Sequence, residues 1–110
     1  LEQAVGNLVD NALKYGNEGT PVLVHCEQEG GSVLIKVTDQ GQGIGALHLP
    51  RVFERFYRVD KARSRPVGGT GLGLAIVKHI AQAHRGHASV TSVPGVGSTF
   101  TITLPREIPA

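Results

Sequence analysis

Two pairs of alternating segments limit what this chain can fold into. In "PVLVHCEQ" (21 to 28) and "SVLIKVTD" (32 to 39) apolar and polar residues take turns, with Gly30 and Gly31 between them. A period of two broken by a two-residue glycine turn predicts a β-hairpin. "HASVTSV" (87 to 93) and "STFTITLP" (98 to 105) repeat the pattern around the turn "PGVG". Strands joined as hairpins predict a largely antiparallel sheet whose apolar face needs a cover. The inward face of the first hairpin is expected to carry Val22, Val24 and Cys26 with Val33, Ile35 and Val37, so Cys26 reads as a small core hydrophobe.

Two helices supply the cover. Leu1, Ala4, Val5, Leu8, Val9, Ala12 and Leu13 recur at helical spacing. "GLGLAIVKHIAQAH" (71 to 84) does the same at Leu74, Ile76, Val77, Ile80 and Ala81. From Gly41 to Thr70 periodicity fails, apart from a short amphipathic piece, "LPRVFERF", at 49 to 56. An irregular stretch this long within a domain marks function or mobility. The order helix, hairpin, irregular stretch, helix, hairpin gives a two-layer α/β sandwich, one domain over residues 1 to 110. No capping residue precedes Leu1, so the chain is expected to begin inside a larger unit.

Composition excludes several functions. A net charge of +2 is too small to argue for nucleic acid or an anionic membrane surface. No apolar run approaches the roughly 18 residues that cross a bilayer. A single cysteine forms no internal disulfide, which fits a reducing compartment.

The polar side of the first helix is unusual. Gln3, Asn7, Asn11 and Lys14 cluster there, although asparagine is a poor helix former. An amide-and-lysine face offers neutral oxygen ligands and a cation, which suits a hydrated Mg²⁺ carried on phosphates. The glycines are also unevenly placed. Gly41, Gly43 and Gly45 follow the strand ending at Asp39; Gly68, Gly69, Gly71 and Gly73 lead into the second helix. Such segments let backbone N–H groups approach an anion at a helix start. Neither fits a familiar phosphate motif. "GQGIGA" is followed by Pro50 instead of a long helix, and "GGTGLGLA" lacks the lysine and hydroxyl of a Walker loop. Asp39, at a strand end, offers an acceptor for an exocyclic amino group. Arg55, Arg58, Lys61, Arg63 and Arg65 sit on the irregular stretch, where a lid could bring charge to a phosphate.

Together these segments resemble the catalytic ATP-binding domain of bacterial sensor histidine kinases, in the GHKL superfamily with gyrase, a heat-shock chaperone and a mismatch-repair ATPase. "NLVDNALKY" is similar to its asparagine box, "DQGQGI" to the first glycine box, "FERFYRVD" to the phenylalanine box and "GGTGLGLAIVKHI" to the second glycine box. "GSTFTITLP" resembles the closing strand, and the likeness runs from Leu1 to about Pro105. "FYRVDKARSR…GGTGLGL" points to the class containing phosphate-regulon and cell-wall sensors.

The resemblance implies a Bergerat-type fold, a mixed, mainly antiparallel sheet covered on one face by helices, with ATP and Mg²⁺ as cofactors. It implies Asn11 as a Mg²⁺ ligand with Asn7 beside it, and Lys14 and Tyr15 against phosphate and nucleotide. Asp39 would accept from the adenine amino group, while Gly41, Gly43, Ile44 and Thr99 would shape the base pocket. Arg58 would approach the γ-phosphate as the lid from Gly45 to Thr70 closes, with Gly69, Thr70, Gly71, Leu72 and Gly73 around the phosphates. Hydrolysing relatives carry a glutamate where Asn7 stands, and asparagine takes no proton at neutral pH. The resemblance therefore favours a kinase, with a nucleotide-driven switch or ATPase as the alternative. Its partners would be a dimerisation domain bearing the acceptor histidine and a cognate response regulator. The place would be the cytoplasmic side of a membrane-anchored parent. The family's strand before the first helix is missing, and none of His25, His48, His79, His84 and His87 lies in an acceptor pattern.

Overall fold

The computed structural model describes residues 1–54 and 73–105. Helix α1 (Glu2–Tyr15) is followed by strands β1 (Leu23–Glu29) and β2 (Ser32–Asp39), then a single 3₁₀ turn at Leu49–Arg51. Helix α2 (Gly73–Ala83) leads into β3 (His87–Val93) and β4 (Gly97–Pro105). The sheet order is β1-β2-β4-β3, and every neighbouring pair is antiparallel. Both expected hairpins form, the first around Gly30, whose φ of +59° suits a tight turn.

Both helices cover one face of this sheet. On α1 the buried residues are Ala4, Leu8 and Ala12, spaced by one turn, and on α2 they are Val77 and Ala81. They meet Val37 of β2 and Phe100 and Ile102 of β4 in one core with Val52. Alanine at the helix contact lets α1 and α2 approach closely, while each large side chain such as Leu8 contributes about 2 kcal/mol by leaving water. Phe53 meets Phe100 edge to face, with centroids 6.0 Å apart, and so fastens the segment after the 3₁₀ turn to the sheet.

The outer edge differs from the sequence expectation. Val24 and Cys26 do pair with Val37 and Ile35, so they share the core-side face. However, β1 is the edge strand and the helices sit over β2, β3 and β4. Val24 is therefore 52% exposed and Cys26 is exposed, not a core filler. Charge guards this edge. Glu27 lies 2.6 Å from Lys36 Nζ, which holds its carboxyl below the ordinary range and the lysine above its own.

Helix α2 ends in a Schellman motif. The Arg85 N–H donates to Gln82 O (3.0 Å) and the Gly86 N–H to Ala81 O (2.8 Å). That places Arg85 at φ 64°, the position where glycine is favoured. Gly86 cannot trade places with it, because a Cβ there would overlap the Thr103 carbonyl oxygen. Arg85→Gly is accordingly expected to stabilise the domain by about 1 kcal/mol, measured by urea denaturation. An unchanged or lower midpoint would refute strain at this turn.

Candidate functional site

Of the sequence-predicted residues, Asp39, Gly41, Gly43 and Ile44 lie at the end of β2 and on the loop after it. Alternation along β2 turns Val33, Ile35 and Val37 toward the helices, and Asp39 ends that series with only 5% of its surface exposed. Ser98 of β4 is its register partner, and the Ser98 backbone N–H favours its charged form. Burial nevertheless dominates and pushes the Asp39 pKa above the ordinary carboxylate value, with the Ser98 bond opposing it. With Ser98 the donor named among the described residues, the desolvated carboxylate keeps acceptor capacity.

Two clamps hold the loop that follows. On one side Gly16 and Gly41 form an antiparallel bridge, and the Asn17 N–H donates to Gln40 O. The Thr20 hydroxyl also reaches Gln40 O, at 3.2 Å. On the other side the Gly95 N–H donates to Gln42 O (2.7 Å) and the Ile44 N–H to Ser92 Oγ (2.6 Å). The glycines are steric necessities at these approaches. A Cβ on Gly41 would overlap Tyr15 O, and one on Gly43, at φ +74°, would overlap Val93 O.

Helix α1 carries the two asparagines one turn apart. Asn7 donates from Nδ2 to Gly73 O at 3.3 Å, tying the asparagine helix to the first residue of α2. With its NH₂ engaged, Asn7 keeps its amide oxygen as the available atom. Asn11 is half-buried one turn on, whereas Lys14 and Tyr15 are exposed at the helix end. Arg58, Gly69, Thr70, Gly71 and Leu72 lie outside the described residues, as does most of the expected lid.

Thr99 is placed differently. Its hydroxyl lies 3.0 Å from Thr38 Oγ1, on the sheet face opposite the Asp39 side chain. The residue beside Asp39 is Ser98, which is buried and which the sequence reading missed. A usable signal existed: in both hairpins the inward alternation ends in polar residues, Asp39, Ser92 and Ser98, where a plain core strand would stay apolar. A cleft of about 230 Å³ at this end of the sheet is lined by residues of both faces, Thr38, Thr91, Val93 and Thr99 as well as Asp39, Ser92 and Ser98.

These residues fit ATP better than a free metal ion. Among the described residues no three His, Cys, Asp or Glu side chains gather into a metal-holding group. Two amide oxygens alone hold Mg²⁺ weakly, so the ion would arrive on phosphates that supply the remaining charge. A buried acceptor such as Asp39 suits an amino-bearing base, and a glycine-lined approach suits phosphates.

Comparison with known proteins identifies the family. The family model for histidine kinase-, DNA gyrase B- and HSP90-like ATPases matches residues 1–108. The sensor-like histidine kinase SenX3 of Mycolicibacterium smegmatis is 55% identical over 106 residues, covering 96% of this chain and 28% of SenX3. The sensor histidine kinase WalK of Bacillus subtilis is 48% identical over 109 residues, 97% of this chain and 18% of WalK. The chain thus spans under a third of these relatives' length. Among solved structures, the mycobacterial sensor histidine kinase MprB superposes with a TM-score of 0.83 at 41% identity, covering 94% of this chain and 70% of that one. Full-length ShkA in complex with AMPPNP gives 0.80 at 33% identity, covering 98% and 22% respectively. The chain therefore belongs to the histidine kinase-, gyrase B- and HSP90-like ATPase family, among the catalytic domains of sensor histidine kinases.

Proposed function

We propose that this domain binds Mg-ATP and donates its γ-phosphoryl group to a histidine on a separate dimerisation domain. The parent would be a membrane-anchored two-component sensor with this domain on the cytoplasmic side, passing the phosphoryl group on to a response regulator. The observation that carries the reading is Asn7. At the start of α2, tied to the Gly73 carbonyl, stands an amide where a hydrolase needs a carboxylate to activate water. ATP held there keeps its γ-phosphoryl group for another acceptor. In the transfer, the bond from the γ-phosphorus to the bridging oxygen breaks and a P–N bond forms at the acceptor imidazole, with ADP leaving.

Each residue then has a task. Asp39 accepts from the adenine amino group, and Gly41, Gly43 and Ile44 form the loop against the base. Asn11 and Asn7 contribute oxygen ligands to the metal on the phosphates. Lys14 and Tyr15 meet phosphate and nucleotide from the helix end, and Gly69 to Gly73 wrap the phosphates. Arg58 neutralises charge at the γ-phosphate. When bound, Mg²⁺ neutralises phosphate charge, and the protein's part is mostly positioning.

The test uses γ-labelled ATP. By itself the domain should bind ATP, take up no label and turn ATP over slowly. Adding the dimerisation domain in trans should place label on that domain alone, weakly, because the linked pair's effective concentration is lost. Stable acid-labile phosphate on His25, His48, His79, His84 or His87 would overturn the transfer, and rapid steady turnover would favour the ATPase switch.

A further inference from the structure

The turn between α1 and β1 grips a single carbonyl from both of its ends. It comprises Asn17, Glu18, Gly19 and Thr20, closed by the Thr20 N–H donating to Asn17 O at 3.1 Å. Gly19 stands third with φ +81°, the sign a type II turn requires at that place. The first residue reaches Gln40 O through the Asn17 N–H, and the last reaches it through the Thr20 hydroxyl, at 3.2 Å. That hydroxyl has one hydrogen, shared between Gln40 O and Asn17 O, both of which only accept. Thr20 is half-buried and lies outside the core cluster.

The gripped carbonyl belongs to the peptide that opens the glycine loop. In a trans peptide the C=O and the N–H point opposite ways, and no cis bond occurs among the described residues. Gln40 O, aimed at the turn, therefore aims the Gly41 N–H away from it and sets the line on which the loop leaves β2. That line passes close to Asp39, since a Cβ on Gly41 would stand 3.1 Å from Asp39 Oδ1. A loop freed from the grip on Gln40 can settle over this acceptor. The turn also follows α1 directly, whose last carbonyls are met by the Gly16 N–H on Ala12 O at 2.8 Å. One short segment thus joins the asparagine helix to the glycine loop.

We infer that Thr20 is a positioning residue for nucleotide binding, holding the Gln40–Gly41 peptide through its hydroxyl so that the glycine loop leaves the Asp39 carboxylate open. The inference rests on the ATP reading above. Thr20 acts through Gln40 and does not touch the nucleotide. A neutral hydrogen bond of this kind is worth about threefold to tenfold in an equilibrium constant.

The protein and its Thr20→Val and Thr20→Ser variants are titrated calorimetrically with Mg-ATP, and their urea midpoints are measured alongside. Thr20→Val, which keeps the shape and removes the hydroxyl, should weaken ATP binding by about threefold to tenfold, and Thr20→Ser, which keeps the hydroxyl, should restore it. Hydrogen exchange at the Asn17 amide, the other donor to Gln40 O, should quicken in Thr20→Val and return in Thr20→Ser. Unchanged ATP affinity in Thr20→Val would overturn the inference even if the urea midpoint fell, because the hydroxyl would then serve stability alone. Weakening that Thr20→Ser does not reverse would overturn it as well. A wild-type protein that fails to bind ATP would instead overturn the ATP reading itself. Should Thr20→Val fail to fold, Thr20→Ala, which removes the hydroxyl without leaving a second methyl to place, is read by the same outcomes.

Discussion

Asp39→Asn is expected to weaken ATP binding by about a hundredfold while making the free domain more stable near neutral pH. The loss follows from replacing a buried carboxylate acceptor by an amide, since a hydrogen bond to a charged group is worth about 1.5–3 kcal/mol. The gain follows from the same burial. Desolvation raises the folded-state pKa of Asp39 above the ordinary 3.8. Between the unfolded and folded values the native state holds the extra proton, so stability falls as pH rises through that window, and the charged carboxylate remains a cost above it. Asparagine carries no such cost. The stabilisation by Asp39→Asn should therefore be absent below about pH 3, grow as pH rises past the ordinary carboxylate value and level off beyond the folded one. Melting curves across pH, set beside calorimetric ATP titrations, separate the two effects. A variant that loses stability at pH 7, or that binds ATP normally, would remove Asp39 from its assigned place.

Gly43→Ala is expected to produce a large, purely steric effect, a destabilisation of about 3 kcal/mol with loss of ATP binding. Two costs add. A side chain at φ +74° is strained by about 1–2 kcal/mol, and its Cβ would overlap the Val93 carbonyl oxygen and lie 2.9 Å from Pro94 Cα. Both obstacles are backbone, so neither can rotate away. Relief requires the glycine loop to move off the β3–β4 turn, which breaks the Ile44–Ser92 and Gly95–Gln42 hydrogen bonds. Gly95→Ala is the control. It shares a positive φ of +81° but meets nothing within 4 Å, so only about 1 kcal/mol should be lost and ATP should still bind. Equal midpoints for the two variants in urea would mean that the close approach at Gly43 carries no weight.

The sequence by itself determined the elements and the layer they form. Strict alternation in 32–39, 87–93 and 98–105 specified strands because a period of two is what a half-buried strand requires, and Gly30-Gly31 fixed the first turn. The 3.6-residue recurrence of Ala4, Leu8 and Ala12 likewise marked α1 and its buried face. Asn7, Asp39, Gly41 and Gly43 stood out because each is a poor choice for local structure and so calls for another reason. Tertiary structure decided what local pattern cannot encode. Pairing of β4 with β2, not with β1, left β1 at an edge, where alternation still turned Val24 and Cys26 toward the core side but no helix lay above them. One residue of register separated Thr99 from Ser98, and because successive strand residues face opposite ways, Ser98 meets Asp39 while Thr99 meets Thr38. The link from Ser92 to Ile44 joins residues 48 apart in sequence, a contact created only when two strand ends are brought together by the sheet.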